Sequence, residues 1–506
     1  MEEISLIASK SSGLKEEEDF IMYDHKKTPV FTAMKEYLDR EVVPFDVPGH
    51  KHGRGLEEYT EFFGKKMMGL DVNSMKPLDF LGNPTSVIKE SEALLADAFG
   101  ADAGYFIVNG TSFAVQVMIM ATVKSGEKII LPRNVHKSAI NALILCGALP
   151  VYMEPEIDNE MSVSHNITMK SLKKAYDKHP DAKAVLIINP TYYGACCNLR
   201  SVVDFCHKND MTVLVDEAHG THFHFNDAFP LSGMQAGADI SAVSLHKTGG
   251  SLTQSSGLLV KEGRIDPHYI RKIINLMQTT SPSYLLMGSL DVARKQLVLK
   301  GEEILNHVLE VSEYARKEIN KIPGCYAIGK EAIGREGVYA FDPTKLSVTT
   351  RNMGLNGMEL YDLLRDDYNI QMETGDVYNS LAILSLGDDF DHVDALIIAL
   401  KDISKNQTHK RINYKKIDAH YPDVVLTPRE SFYSDKEVVS LENSLGRISG
   451  ESLMSYPPGI PVISYGERIN ISVIAQIKLF KASHGIITGM EDPEVDTIKV
   501  IKEEVL

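Results

Sequence analysis

Three short stretches combine residue types that bind anions, hold a buried acid and present a reactive amine. Asn109-Gly110-Thr111-Ser112 stands between a strand-like run and an apolar, helix-like one. Free backbone N–H groups, two hydroxyls and the helix dipole make such a turn an anion cradle; by itself the same sequence also serves as a turn with an N-cap. Val213-Leu214-Val215-Asp216-Glu217-Ala218-His219-Gly220 is an apolar strand that ends abruptly in two carboxylates and an imidazole. An isolated Asp at a strand end often caps a helix. At that depth it also suits a pyridinium nitrogen, which needs a carboxylate partner to stay protonated and draw electrons. Ser244-Leu245-His246-Lys247-Thr248-Gly249-Gly250 follows the apolar run from Ile240 to Val243. A lone loop lysine is ordinarily a solvated charge; packed among small and hydroxyl residues, the Lys247 ammonium is partly desolvated. Its pKa then falls from about 10.4, and the free amine forms Schiff bases. Ser244 and His246 are placed to contact a phosphate, and the glycines let a ligand approach the backbone.

Each stretch lies where a strand gives way to a loop, the position at which ligands bind in open α/β sheets. From Phe80 to Val260, short β-branched or aromatic runs alternate with longer segments of helical period. The candidate strands are Tyr105 to Val108, Lys128 to Leu131, Pro150 to Met153, Ala184 to Ile188, Thr212 to Val215, Ile240 to Ser244 and Gly257 to Val260. Several are apolar throughout, as strands covered on both faces must be. Ile88, Leu95 and Phe99 share one helical face that Gly100 terminates, and a further helix is predicted from Ser112 to Val123. A long helical stretch from Ser289 to Ile322 ends at Pro323-Gly324, new strand patterns begin near Val338, and a polar connection runs from Lys405 to Lys416. The expected organisation is a mobile lead-in over 1–27, a large domain over 28–322, a small α/β domain over 323–404 and a C-terminal unit over 405–506.

The chain of 506 residues carries 53 Lys and Arg against 69 Asp and Glu, a net charge of −16 that works against loose adhesion to nucleic acid or an anionic membrane. With 43% hydrophobic and 24% charged residues it can bury a large core, which excludes wholesale disorder. Five cysteines are too few for a disulfide framework, and no CxxC or paired Cys/His spacing marks a metal site. Neither a signal-peptide opening nor an apolar run of bilayer length is present, so a soluble, cytoplasmic protein acting on a small molecule is expected, with no nucleic-acid or membrane partner.

An anion cradle, a buried acid and a Schiff-base lysine, in that order on one mostly parallel sheet, is the arrangement of a pyridoxal-phosphate enzyme of the aspartate aminotransferase-like fold, fold type I. From about Thr28 to its C-terminus the chain resembles the group III Orn/Lys/Arg decarboxylases, and looks most like the shorter bacterial arginine decarboxylases that lack an N-terminal wing domain. The matching stretches are Val47-Pro-Gly-His-Lys51, Pro132-Arg-Asn-Val-His-Lys137, Val215-Asp-Glu-Ala-His-Gly220, Ser244-Leu-His-Lys-Thr-Gly-Gly-Ser-Leu-Thr-Gln254 and Tyr456-Pro-Pro-Gly-Ile-Pro461. The resemblance implies that Lys247 carries pyridoxal 5'-phosphate, Asp216 pairs with its pyridine nitrogen, Ala218 packs on one ring face and His136 stacks on the other. Gly110, Thr111, Ser112, Ser244 and His246 then hold the phosphate and His219 lies near the ring. Ser281 or Ser283 reaches into a neighbouring subunit of a homodimer or higher homo-oligomer. The implied reaction is decarboxylation of arginine to agmatine and CO2, with lysine to cadaverine or ornithine to putrescine as alternatives and an aminotransferase or lyase further off. Lys247 or His136 returns the proton to Cα. The distal cation of such a substrate requires a carboxylate. Glu451, five residues before Tyr456, is nominated first, and then Glu373 and Asp376, which flank Thr374-Gly375. All three also fit as paired or solvated surface acids.

Overall fold

The computed structural model describes residues 23–158, 163–412, 421–456, 460–482 and 486–502. Apolar runs such as Val185–Ile187 and Val213–Val215 offer water no polar face, so they form strands sandwiched between helices. Seven strands make the central sheet, ordered Ala103–Ile107, Ser256–Val260, Ile240–Val243, Thr212–Glu217, Ala184–Ile188, Lys128–Pro132 and Leu149–Met153. Ser256–Val260 runs against both neighbours; every other pairing in this sheet is parallel. Side chains alternate between two apolar cores, with Val185, Ile187, Val213 and Val215 on one face and Ala184, Leu186 and Leu214 on the other.

These are the strands expected from the sequence, their ends moved by a residue or two. One extension bears on the site. The strand from Thr212 runs on through the acids, with Asp216 paired in register to Ile188 and Ala242, so the sheet rather than a loop holds that carboxyl. The long helix is Tyr284–Ile319 instead of beginning at Ser289, because Ser283, after Pro282, already takes the extended backbone of an N-cap. It joins two cores: Leu290 and Ala293 pack beneath the large sheet, while Val308, Val311 and Ile319 enter a second cluster. That cluster covers an antiparallel sheet ordered Thr374–Gly375, Asn379–Ile383, Lys345–Thr349 and Tyr326–Ala327. In the C-terminal region Lys436–Ser440 pairs with Thr497–Ile501, and Leu453–Tyr456 lies between Ile460–Ile463 and Ile486–Thr488. A further core of Leu453, Ile463, Val473 and Val500 fills it. Residues 457–459 of the Tyr456–Pro461 motif lie outside the described residues. Among the described residues no helix is long and apolar enough to cross a membrane.

Glu217 fixes the strand end that carries Asp216. Alternation along the strand sends it to the other side of the sheet, where it is buried. Its Oε1 accepts the Gly233 N–H at 2.9 Å and its Oε2 the Ser241 hydroxyl at 2.7 Å. Burial pushes its carboxyl up to about 8, against the pull of those two donors. Because that value lies above the unfolded one, the stability tied to this proton is whole below about pH 4.3 and drains as pH rises through about 8. Glu217→Gln keeps both contacts, its oxygen facing Gly233 and its amide Ser241, but has no proton to lose. The variant is therefore expected to gain on the wild type between pH 5 and 8, by at most about 1.4 kcal/mol per pH unit. Urea midpoints of the two proteins across that window check this; parallel curves would show that Glu217 does not titrate there.

Candidate active site

A cavity of about 790 Å³ opens at the C-terminal ends of the parallel strands, and all three chemistry-bearing motifs line it. The cradle is the first turn of helix Gly110–Thr122. Gly110 has φ +77, a left-handed conformation, while a Cβ there would meet no atom within 4 Å; backbone angle rather than crowding asks for glycine. The following Thr111 hydroxyl is buried against Ser244 and Ser256, at 2.7 Å from the latter. The Thr111 and Ser244 hydroxyls thus bond each other, tying the helix start to the strand end before Lys247. Ser112 and His246 also line the cavity, and the His246 Nδ1–H donates to the Ser255 carbonyl at 2.9 Å.

Lys247 stands on the one-turn helix Leu245–Thr248 that follows strand Ile240–Val243. Its Nζ lies 2.8 Å from His219 Nε2. Burial lowers the Lys247 pKa, with Asp216 and Glu373 opposing and Lys345 adding to the shift. His219 is pushed well below its ordinary range by burial, then by Lys247 and Lys345, so the imidazole is neutral. His136 is also neutral: burial, Lys247 and Lys137 bring it down to about 4. It caps helix Lys137–Cys146, its Nδ1 accepting the Ser138 N–H at 3.2 Å, which leaves the ring proton on Nε2. Asp216 Oδ1 accepts the Ala218 N–H at 3.2 Å, and Oδ2 has no donor among the described residues. Burial raises the Asp216 carboxyl, while the Ala218 N–H and Lys247 pull it back; a cationic N–H presented to Oδ2 would restore its charge.

Of the acids nominated for a distal cation, Glu373 alone lines the cavity. It accepts the Tyr192 hydroxyl at 2.7 Å, and no Lys or Arg among the described residues pairs with it. Asp376 faces away: it accepts from the Tyr193 hydroxyl and from the N–H groups of Tyr378 (2.5 Å) and Asn379 (2.7 Å), which makes it a turn-forming acid. Glu451 is a correction too. Its two oxygens accept the backbone N–H groups of Glu491 and Lys499, each at 2.9 Å, so it braces the C-terminal strands and does not line the cavity of this chain. Ser281 is exposed and Ser283 stands at the N-cap position of the long helix; neither lines the cavity of this chain. Tyr192 was not foreseen. Its ring meets His219 edge-on at 5.0 Å, and it follows strand Ala184–Ile188 in the stretch Pro190-Thr-Tyr-Tyr-Gly194. The rule that ligands collect at such strand ends was the available signal.

These residues fit a phosphorylated pyridine aldehyde: a helix N-terminus with hydroxyls for the phosphate, a carboxylate oxygen to spare for the ring nitrogen, and a desolvated amine. A family model described as Orn/Lys/Arg decarboxylase, major domain, matches residues 28–392, and one described as Orn/Lys/Arg decarboxylase, C-terminal domain, matches residues 411–492. The arginine decarboxylase of Bacillus subtilis (strain 168) is 43% identical over 482 residues, 94% of this chain and 98% of that one. The solved lysine decarboxylase of Francisella novicida superposes with a TM-score of 0.81 at 20% identity, over 94% of this chain and 81% of that one. The alanine–glyoxylate aminotransferase of Nostoc sp. does so with 0.51 at 15% identity, over 62% of this chain and 86% of that one. Those two likenesses bear on the fold alone, which is the aspartate aminotransferase-like fold type I, and family and fold together imply pyridoxal phosphate. The chain belongs to the Orn/Lys/Arg decarboxylase family of carboxy-lyases.

Proposed function

We propose that this enzyme uses pyridoxal 5'-phosphate to convert L-arginine into agmatine and CO2. The observation that carries the reading is one cavity holding a desolvated amine, Lys247, a sheet-held acid, Asp216, and a carboxylate, Glu373, that has no ion-pair partner among the described residues. The B. subtilis relative's name supports arginine over lysine or ornithine. When bound, the cofactor supplies a sink for the electrons that CO2 leaves behind. Gly110, Thr111, Ser112, Ser244 and His246 would hold its phosphate, Asp216 its ring nitrogen, and Ala218 and His136 its faces.

The chain's own residues divide the remaining work. Lys247 Nζ, kept short of protons by burial, exchanges one with the substrate, and His219 Nε2 is the neighbour with which it shares that proton. Glu373, steadied by Tyr192, receives the guanidinium. Arg365 is the one arginine among the described lining residues, and its guanidinium is engaged by Asp362 (2.9 Å) and Asp366 (2.7 Å). That leaves the substrate's α-carboxylate ungripped, which favours its departure over transamination. The enzyme works in the cytoplasm as a homodimer or larger homo-oligomer, whose second copy covers exposed apolar residues such as Phe45 (94% exposed) and Phe62 (84%).

Borohydride reduction of the yellow holoenzyme is expected to fix the cofactor on Lys247; peptide mapping that finds it on another lysine would overturn the site. Asp216→Asn should lower kcat roughly 10²- to 10³-fold while the protein still binds its cofactor, because an amide keeps the shape but not the charge that holds a pyridinium proton. Loss of cofactor in step with kcat would give Asp216 a merely structural role. Glu373→Gln is expected to raise KM for arginine about 10- to 100-fold, the worth of one charge-assisted hydrogen bond. An unchanged KM removes Glu373 from substrate binding. Parallel product assays on arginine, lysine and ornithine decide the substrate.

A further inference from the structure

Behind the cavity wall lies a buried cluster that the reaction above leaves unused. Lys345, the first residue of strand Lys345–Thr349, is 0% exposed, as is Asp342. The Lys345 ammonium donates to Asp342 Oδ2 at 2.8 Å, to Thr344 Oγ1 at 3.0 Å and to the His219 carbonyl at 3.2 Å, using every proton it has. Asp342 Oδ1 accepts in turn from the Thr344 N–H at 3.0 Å and meets His222 Nε2 at 3.2 Å. The Tyr192 loop is seated on the same hub, since the Asp342 N–H donates to the Gly194 carbonyl at 2.8 Å. Gly194 sits at φ +93, and a Cβ there would stand 2.9 Å from the Asp342 carbonyl oxygen and 3.2 Å from Lys345 Cβ.

An ammonium out of water is costly even when paired, by several kcal/mol for each ion before attraction repays it. An apolar side chain would fill the same space without that penalty. What the pair adds is a strong donor aimed at one backbone carbonyl, that of His219. This is the residue whose Nε2 meets Lys247 Nζ and whose ring packs against Tyr192. We infer that Lys345, with Asp342 as its counter-ion, is a positioning residue for Lys247: by holding the His219 carbonyl from behind, it sets the imidazole at the distance where it shares the Lys247 proton. The inference rests on Lys247 being the cofactor lysine, as proposed above. The charged and titratable groups that face Lys247 are His219 and Asp216 from the strand end, His136 from the neighbouring loop, Glu373 from the small sheet and Lys345 from behind. The cation of Lys345 acts in the same direction as burial, against Asp216 and Glu373.

Lys345→Met alone would strand Asp342 as a buried, unpaired anion, so the test uses two double variants of the holoenzyme. Asp342→Asn with Lys345→Met removes both charges and the donor; Asp342→Asn with Lys345→Gln removes the charges but keeps an N–H for the His219 carbonyl. The Met double is expected to retain its cofactor on Lys247 and to lose roughly 10- to 100-fold in kcat, with KM for arginine changed less than about threefold. The Gln double should recover kcat to within about fivefold of wild type, because the carbonyl is held again. Because cation and counter-ion leave together, the pH midpoint of the bound cofactor's visible absorbance should stay near the wild-type value in the Gln double and shift in the Met double, where the His219 carbonyl is no longer held. Equal kcat in the two doubles, or the same midpoint in both, overturns the inference. So does failure of both to fold, which would assign the pair to folding alone; should only the Gln double fold, a kcat more than about fivefold below wild type overturns it. A borohydride label away from Lys247 in the wild type would instead defeat the proposed site.

Discussion

An amine attacks a carbonyl only without its proton, and in this molecule it is burial that loosens the hold of Lys247 on its own. The opposing charges are unequal in origin: Asp216 comes from the large sheet, Glu373 from the small one, and both favour the ammonium, while Lys345 sides with burial. In a partly dry cavity these interactions are several times stronger than in water, so small displacements of either sheet change the state of the amine. Everything that keeps the cavity closed and its walls in register therefore acts on Nζ. The apolar cores on both faces of the large sheet, the long helix shared by two cores and the helix start welded through Thr111 to Ser244 do this in turn.

Among the described residues, three fully buried pairs of Lys or Arg with a carboxylate lie at joints between segments. Asp291 and Arg294 clamp the chain entry, Arg294 binding the carbonyls of His25 and Lys27 and Asp291 the Val30 N–H. Arg133 meets Glu467 across the C-terminal region, three residues ahead of His136. Lys345 meets Asp342 beneath His219. Buried pairs add little net stability over a well-packed apolar contact, because desolvation offsets the attraction. Their common placement points to register: a mismatched dock leaves a bare charge, whereas a slipped apolar contact merely repacks. Two of the three lie one short step from the cavity, which links the fidelity of docking to the geometry of the site.

The large sheet was legible because continuous apolar strands and chemistry at their ends are both local features of sequence. Lys247, Asp216 and His219 stood out for that reason; His136 came only with the resemblance, which also gave the others their roles. Acids in the small and C-terminal sheets carry no such signature. Glu373, Asp376 and Glu451 look interchangeable in sequence, yet Asp376 turns onto the Tyr378 and Asn379 N–H groups and Glu451 onto those of Glu491 and Lys499. Only the fold decides which carboxylate finds backbone donors first and which is left facing the cavity. The Lys345–Asp342 pair was invisible for a related reason. A lysine opening a strand reads as a surface charge until two sheets are seen to close over it.

The charges left in the cavity after pairing explain why this site releases a carboxylate. Arg365 is consumed by Asp362 and Asp366, and the cavity-lining imidazoles His136, His219 and His246 are all pushed toward neutrality by burial. Lys247 is shifted the same way, and Lys345 is matched by Asp342. With Asp216 set against a cationic ring nitrogen, the acid among the described lining residues that keeps no cationic partner is Glu373. On the proposed role of Glu373, a substrate carrying a cation and a carboxylate is drawn by its cation toward that acid, while its carboxylate meets no compensating charge among the described residues. Burying an uncompensated anion is costly, and loss of neutral CO2 removes the part of the substrate that the field opposes. In that proposal, binding energy gained at the distal cation works against the bond that must break, and one electrostatic arrangement serves both recognition and reaction.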